Sequence, residues 1–187
     1  MNDAAKSSPY IILDACCLIN LYASGRLGEI VASMPERFAV ASYVKEKECL
    51  CIYDGPPSNV RKSKKQIDIE QLIQEGKIEI AFLVGDKESI IHINLAFELD
   101  DGEAYTGAIA ANRRWIVGTD DKKAIATFGK SPYHLQVVSS IELVKKWAEK
   151  IKPSSDLLRD VLHEIRTRAS YEPGNNHPLR SWWQKYY

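Results

Sequence analysis

Three acidic residues of this chain lie where a short apolar segment ends. Asp14 follows the segment YIIL, Glu103 opens the helix after ELDDG, and Asp120 ends WIVGTD. Short apolar runs that lead into helical periodicity are typical of buried parallel strands followed by helices. The carboxyl ends of such strands share one edge of the sheet, where the binding crevice of open α/β sheets lies. We therefore expect the three carboxylates to converge there, although they are far apart in sequence.

A cluster of carboxylates favours a divalent metal ion. Two carboxylates about 4 Å apart repel by roughly 4 kcal/mol at an effective dielectric constant near 20, so several of them do not stay ionised unaided. Mg²⁺ and Mn²⁺ take oxygen ligands, keep several waters, and supply both a Lewis acid for a phosphoryl oxygen and an activated water. The reaction that this chemistry predicts is hydrolysis of a phosphodiester bond.

The elements that must position these acids follow a repeated strand–helix order. Strands are predicted at 10–13, 38–41, 78–84, 115–118 and 135–138, with helices after them. In the helix after Gly102, the small residues Ala104, Gly107, Ala108 and Ala111 form one stripe, which lets the backbone approach the sheet closely. This order predicts an α/β fold with a central, mainly parallel β-sheet flanked by helices.

The length of 187 residues and the 45% hydrophobic content predict one domain with a substantial core. We assign residues 1–152 to the metal-dependent α/β domain and residues 153–187 to a C-terminal helical extension with an aromatic tail, RSWWQKYY. The tail is too short to bury a core of its own. Its Trp and Tyr side chains are expected to dock on the domain or on a second copy rather than to stack on nucleobases.

Composition excludes several classes of protein. Lys plus Arg (25) balances Asp plus Glu (25), so any contact with a polyanion must be local. The N-terminal apolar stretch is too short for a signal peptide and no segment reaches the length of a membrane span, so we expect a cytoplasmic protein without membrane contact. The four cysteines have neither disulfide-framework nor zinc-site spacing.

Three short motifs resemble the signatures of PIN-domain nucleases: LDACCLINL, the GEA of DDGEAYTGAIA, and GTDDKKA after a strand. The resemblance extends from about Tyr10 to Trp147. It implies a small α/β protein with a parallel sheet and an acidic pocket for Mg²⁺ or Mn²⁺. It also implies an endoribonuclease, of the kind found among VapC-type toxins, with an RNA substrate, a small antitoxin as inhibitor, and a homodimer as one form of assembly.

The resemblance also implies roles for individual acids. Asp14 matches the first acid of the family, Glu103 the acid of GEA, and Asp120 the first acid of TDD, while Asp121 would assist through water. These four residues are the predicted metal ligands. Many members of the family carry Thr or Ser directly after the first acid, where this chain has Ala15, so the orientation of the site must come from elsewhere.

A further catalytic acid is expected on the helix after the second strand, where Glu46 and Glu48 are both available. If Val44 faces the core, Glu48 lies about 40° from it around the helix axis and Glu46 about 200°. Helical geometry therefore favours Glu48. The apolar alternation of residues 49–53 would allow a partly extended segment there, and Glu46 then stays an alternative.

Other interpretations compete with a nuclease. Each acid could simply oppose the positive end of a helix dipole. A haloacid-dehalogenase-like phosphatase needs a second Asp where Cys16 stands, and a receiver domain needs an acidic pair that is missing. A degenerate PIN fold that binds RNA or protein without cleavage is a second candidate.

The basic run of Arg61, Lys62, Lys64 and Lys65 is interpreted as a solvated loop rather than a phosphate-binding arm. Asn20 could replace the hydroxyl that Ala15 lacks.

Overall fold

A computed structural model of the protein describes residues 9–48, 50–54, 63–130 and 132–187. The strands are β1 (Tyr10–Leu13), β2 (Arg37–Ala41), β3 (Cys51–Asp54), β4 (Ser63–Gln66), β5 (Ile78–Ala81), β6 (Ile116–Gly118) and β7 (Val137–Val138). The helices are α1 (Ala15–Ala23), α2 (Leu27–Ser33), α3 (Ser42–Lys47), α4 (Glu70–Gln74), α5 (Gly85–Ala96), α6 (Asp101–Arg113), α7 (Lys122–Phe128), α8 (Ser140–Ile151), α9 (Ser155–Arg168) and α10 (Arg180–Tyr186).

Five strands form one sheet in the order β5-β2-β1-β6-β7, and every neighbouring pair in it is parallel. The central strand β1 pairs with β2 on one side and with β6 on the other, so that Ile12 lies opposite both Ala39 and Val117. Helices cover both faces, which is why β1 is apolar at consecutive positions. The predicted α/β fold with a parallel sheet is thereby confirmed.

The third strand of the predicted series is shorter than its apolar run. β5 ends at Ala81, because the next backbone donors leave the sheet: the N–H of Leu83 donates to the Tyr105 hydroxyl and that of Val84 to Glu88 Oε2. The strand predicted at 78–84 is therefore too long at its carboxyl end. β3 and β4 form a separate antiparallel pair, so the segment after α3 is partly extended; position 49 of that segment lies outside the described residues.

Helix α6 lies close to its neighbours because of Gly107. A Cβ atom at this position would stand 2.4 Å from Phe128 Cε1 and 2.9 Å from Leu95 Cδ1. A buried ion pair fixes α6 to α5: Arg113 Nε and Nη2 donate to Glu88, whose side chain is almost fully buried. This packing holds the first turn of α6, which carries Glu103, at the carboxyl edge of the sheet.

The last two helices share the core of the sheet and its helices. Four side chains of α9 are buried, namely Leu158, Val161, Leu162 and Ile165. In α10, Trp183 is only 1% exposed and stacks on Tyr187 with 5.6 Å between the ring centroids. Among the described residues, no helix combines the length and apolar character that crossing a membrane requires.

Candidate active site

A cavity of about 610 Å³ opens at the carboxyl ends of β1, β2 and β6. Half of the described residues that line it are acidic, and Lys47 is the single Lys or Arg among those described. The acidic members are Asp14, Glu48, Asp100, Asp101, Glu103 and Asp121. They come from separate segments that meet only in the folded chain, at the edge where the parallel strands end. We call this space the acidic cavity.

Asp14 is the most deeply placed of these acids. It follows β1 directly, and its side chain is 4% exposed. Oδ2 accepts hydrogen bonds from Thr119 Oγ1 at 3.1 Å and from Cys16 Sγ at 3.3 Å, whereas the buried Oδ1 has no partner among the described residues. Burial raises the pKa of Asp14, and the charge of Asp121 adds to that shift, against the hydrogen bonds that lower it.

Glu103 lies in the first turn of α6 and faces the same cavity. Burial raises its pKa to about 7, and the negative charges of Asp14 and Asp121 contribute next. A carboxyl group with a pKa near neutrality can both hold and release a proton at physiological pH. Asp14, Glu103 and Asp121 line the same cavity, where like charges disfavour the ionised form of each carboxyl group.

Glu48 reaches the acidic cavity from the end of α3. The helix stops at Lys47, and Glu48 has extended backbone angles, so its side chain enters the cavity from the end of the helix rather than from its buried face. Burial raises the pKa of Glu48, followed by the charges of Asp14 and Asp100. Glu46 is exposed and lines a different cavity. Of the two candidates, the structure therefore places Glu48 in the acidic cavity.

Gly102 makes room for Glu48. A Cβ atom at position 102 would lie 1.6 Å from Glu48 Oε1 and 2.9 Å from its Cδ, well inside the distance that two such atoms tolerate. The glycine of the GEA motif thus leaves the space that the Glu48 carboxylate occupies. Any larger residue there would have to push Glu48 out of its position.

Asp121 and Asp120 separate at the end of β6. Asp121 lines the acidic cavity, and its Oδ1 caps α7 by accepting hydrogen bonds from the N–H groups of Lys123 and Ala124. Asp120 lines a second cavity, of about 630 Å³, and does not line the acidic one. Successive residues of an extended segment point to opposite sides, so only one of the two can face the acidic cavity.

The Asp120 carboxylate accepts three hydrogen bonds: from Asn20 Nδ2 at 2.9 Å, from the Ser140 N–H at 3.1 Å and from the Tyr171 hydroxyl at 3.0 Å. It therefore ties the end of β6 to α1, to α8 and to the segment after α9. The sequence predicted that Asp120 would converge with Asp14 and Glu103. The structure instead places Asp120 in the second cavity. Asn20 likewise contacts Asp120 and not the cavity.

Sequence reasoning did not identify three residues around these acids. Thr119 and Cys16 orient Asp14, and Tyr171 anchors Asp120. The position of Thr119 in GTDD, directly after β6, could have indicated a hydroxyl next to the acids. The sequence around Tyr171 contains no pattern that indicates its contact with Asp120. Of the basic run, Arg61 and Lys62 lie outside the described residues, and Lys64 and Lys65 are exposed on β4.

The residues of the acidic cavity fit a hydrated divalent cation better than a closed metal site. Within the described ranges, no group of three or more His, Cys, Asp or Glu side chains is arranged so that it could hold a metal ion. Mg²⁺, however, usually takes only one or two carboxylates and retains waters. The unpartnered, buried Oδ1 of Asp14 is an acceptor of the kind that such an ion or its waters would satisfy.

Comparison with known proteins adds no assignment: no family model matches the chain, and no curated protein matches it. The resemblance to PIN-domain nucleases stays a prediction from three short motifs. What points to a function in this chain is therefore the arrangement of the residues in the acidic cavity.

Proposed function

We propose that this protein is a metal-dependent endoribonuclease that hydrolyses phosphodiester bonds at the acidic cavity. The observation that carries the proposal is the convergence of Asp14, Glu48, Glu103 and Asp121 on one cavity at the carboxyl edge of the sheet. Such a cluster repels itself unless a cation or protons neutralise it. A function must explain why the chain maintains it, and metal-assisted phosphodiester hydrolysis does.

Asp14 and Asp121 are the carboxylates that would hold the ion. When bound there, Mg²⁺ or Mn²⁺ would polarise a phosphoryl oxygen and lower the pKa of a water molecule. Thr119 and Cys16 fix the orientation of Asp14 through its Oδ2, leaving Oδ1 available. Burial of Asp14 also excludes bulk water from this oxygen, which strengthens its attraction for a cation.

Glu103 is the best candidate for the general base. Its pKa of about 7 lets it accept a proton from the attacking water near neutral pH. Glu48, with a raised pKa on the α3 side of the cavity, can transfer a proton or position the same water. Lys47 supplies a positive charge at the cavity wall that can attract a phosphate.

RNA as the substrate rests on the sequence resemblance, as do the role of toxin in a toxin–antitoxin pair and a cytoplasmic location. None of these three properties alters the chemistry of the acidic cavity. An antitoxin would be expected to inhibit cleavage by purified protein.

The decisive experiment measures cleavage of a generic single-stranded RNA by purified protein with Mg²⁺ or Mn²⁺, and with a chelator. Asp14→Asn should abolish metal-dependent cleavage, because the buried carboxylate loses its charge. Asp156→Asn is the matched control, since Asp156 is 86% exposed on α9 and makes only a surface ion pair. Equal cleavage by Asp14→Asn and wild type, or no cleavage by wild type, would contradict the proposal.

A binding module without catalysis is the second candidate. It is favoured by the absence, among the residues that the structure describes, of a side-chain group arranged to hold a metal ion. In that case the protein would bind RNA or another protein with no loss of intact RNA over time. A gel-shift experiment on the same RNA, run beside the cleavage experiment, separates the two functions.

A further inference from the structure

The second cavity lies at the same edge of the sheet as the acidic cavity, one strand further along. It opens where β6 and β7 end, because Asp120 and Ser139, which follow these strands, both line it. Asp121, the next residue of the chain, lines the acidic cavity. Consecutive Cα atoms are about 3.8 Å apart, so a single backbone segment separates the two cavities. A polymer that lies across this edge can therefore occupy both.

One wall of the second cavity comes from residues 172–178, beyond the part of the chain that resembles PIN-domain nucleases. A turn fixes this segment, because the N–H of His177 donates to the Gly174 carbonyl at 2.9 Å. Lys122 and Ile125 of α7 also line the cavity. A Cβ atom at Gly174 would lie 3.6 Å from Lys122 Nζ, so α7 and the segment face each other. The cavity is thus built between two fixed parts of the fold.

The two acids of the second cavity are already paired within the protein. Asp120 accepts the three hydrogen bonds described above. Glu172 accepts a hydrogen bond from Arg180 Nη1 through Oε1, and its Oε2 lies 3.2 Å from Arg166 Nε. Lys122 is exposed and adds a positive charge to the lining. A cavity with neutralised carboxylates and a lysine favours an anion such as a phosphodiester group.

The remaining lining groups suit a nucleoside. The N–H of Leu179 donates to His177 Nδ1 at 3.0 Å, so the imidazole carries a hydrogen on Nε2 and can donate from there. The side-chain amides of Asn175 and Asn176 supply further donors and acceptors. Ile125 is 39% exposed and offers an apolar surface to a base or a ribose. Proteins recognise single-stranded RNA by such hydrogen bonds to base edges combined with contacts to the base face.

We propose that the second cavity binds a nucleotide of the RNA substrate, next to the phosphodiester group that is cleaved in the acidic cavity. Lys122 contacts the phosphate of this nucleotide, and the side chains of Asn175, Asn176 and His177 contact its base. The inference rests on the proposed function, since one substrate must span both cavities. The volume of about 630 Å³ lies within the range of cavities that hold small ligands, roughly 300–1,000 Å³.

The first test measures binding of the four ribonucleoside 5′-monophosphates by isothermal titration calorimetry. Chelator is present, so that no cation draws the phosphate into the acidic cavity. At least one nucleotide should bind with a Kd of about 1 mM or lower. Lys122→Gln should weaken this binding about 10-fold, as for the loss of one hydrogen bond to a charged group. Lys146→Gln is the matched control, because Lys146 is an exposed lysine on α8 that lines neither cavity.

Inorganic phosphate, titrated in the same way, shows whether the base contributes. It should bind more weakly than the best nucleotide. Asn176→Ala should weaken nucleotide binding about 5-fold and leave phosphate binding unchanged, because the amide is assigned to the base. Equal affinity for phosphate and for all four nucleotides overturns the proposal. So does the lack of nucleotide binding up to about 10 mM, or equal binding by Lys122→Gln and wild type.

The second test measures RNA cleavage by the protein with Mg²⁺ or Mn²⁺. Lys122→Gln should raise KM about 10-fold and change kcat less than about 2-fold, because the second cavity holds the substrate without touching the reacting bond. Lys146→Gln should match wild type in both. If wild type does not cleave RNA, the proposed function fails, whereas calorimetry still decides whether the cavity binds a nucleotide. A cavity that binds a nucleotide, with an unchanged KM in Lys122→Gln, overturns its assignment to the substrate.

Discussion

Asp120 and Asp121 are neighbours in sequence, yet their carboxylates line different cavities. Asp121 faces the acidic cavity with Asp14 and Glu103, whereas Asp120 is surrounded by donors from Asn20, Ser140 and Tyr171. The first aspartate therefore positions the end of β6, and the second belongs to the proposed catalytic site. This division of roles makes the two residues separable by mutation.

Asp121→Asn should reduce metal-dependent RNA cleavage by more than about 100-fold with little effect on folding. The carboxylate charge is lost from the cavity, while asparagine remains a good N-cap for α7. Asp120→Asn should instead destabilise the fold by about 1–3 kcal/mol, because an amide group cannot accept all three of the hydrogen bonds made to Asp120. Cleavage assays and thermal unfolding of both variants measure the contrast.

The reverse outcome, with activity lost in a stable Asp120→Asn protein and retained in Asp121→Asn, would place the metal at the other aspartate. Tyr171→Phe is a useful control for the structural role of Asp120. It removes one of the donors to that carboxylate without touching the acidic cavity. It should lower the stability by about 1 kcal/mol and leave the folded protein active.

Gly102→Ala should impair activity through Glu48. The added methyl group would overlap Glu48 Oε1, so the Glu48 side chain must move out of the acidic cavity. We expect a loss of cleavage similar to that of Glu48→Ala, with helix α6 intact, because alanine is the stronger helix former. The measurement is the initial rate of RNA cleavage, with circular dichroism as the check on folding.

A double-variant comparison makes this prediction specific. If Gly102→Ala acts by displacing Glu48, it should have no further effect on the cleavage rate in a Glu48→Ala background. Additive losses would show that Gly102 matters for another reason, such as access of the substrate to the cavity.

Glu103→Gln should stabilise the protein at pH 8 and have little effect on stability near pH 5. Burial and the charges of Asp14 and Asp121 raise the pKa of Glu103 from 4.5 to about 7 in the folded state. A carboxyl group with a raised pKa contributes its full stability below its unfolded pKa of 4.5 and loses that contribution as the pH rises through 7. Glutamine stays neutral and avoids the loss. Solvent screening limits the gain to about 1 kcal/mol, or about 2–4 °C in Tm.

The melting temperatures for this test are measured in chelator, so that no bound cation offsets the repulsion. Asp156→Asn serves as the control for the loss of one negative charge at an exposed position. If Glu103→Gln lowers the Tm at pH 8, or raises it equally at pH 5, the repulsion at Glu103 does not limit the stability of the folded protein.

Local sequence patterns were sufficient for the sheet and for most of its helices. β1 is buried on both sides, so every residue after Tyr10 in it must be apolar, and that run is legible without a structure. The pattern failed where tertiary contacts compete with it. The run after Ile78 continues to Val84, but Tyr105 and Glu88 take the backbone donors of its last residues, and the strand ends early.

The exposed face of α5 is a second case in which pattern and structure differ. The sequence places Ile90, Ile93 and Phe97 at helical spacing, which predicts a helix with one apolar face. Periodicity does not say whether that face meets the core or solvent. The buried ion pair of Glu88 with Arg113 turns the other face inward, and the apolar stripe stays exposed.

The sequence by itself determined that this protein has a parallel α/β sheet and that acidic residues follow its strands, because burial of strands and the order of elements are encoded locally. Only the tertiary structure decided which acids share a cavity. Glu48 enters the acidic cavity because α3 ends early, at Lys47. Asp121 enters it instead of Asp120 because successive side chains of an extended segment point to opposite sides. Convergence of side chains depends on where separate segments meet, and a linear pattern does not contain those distances.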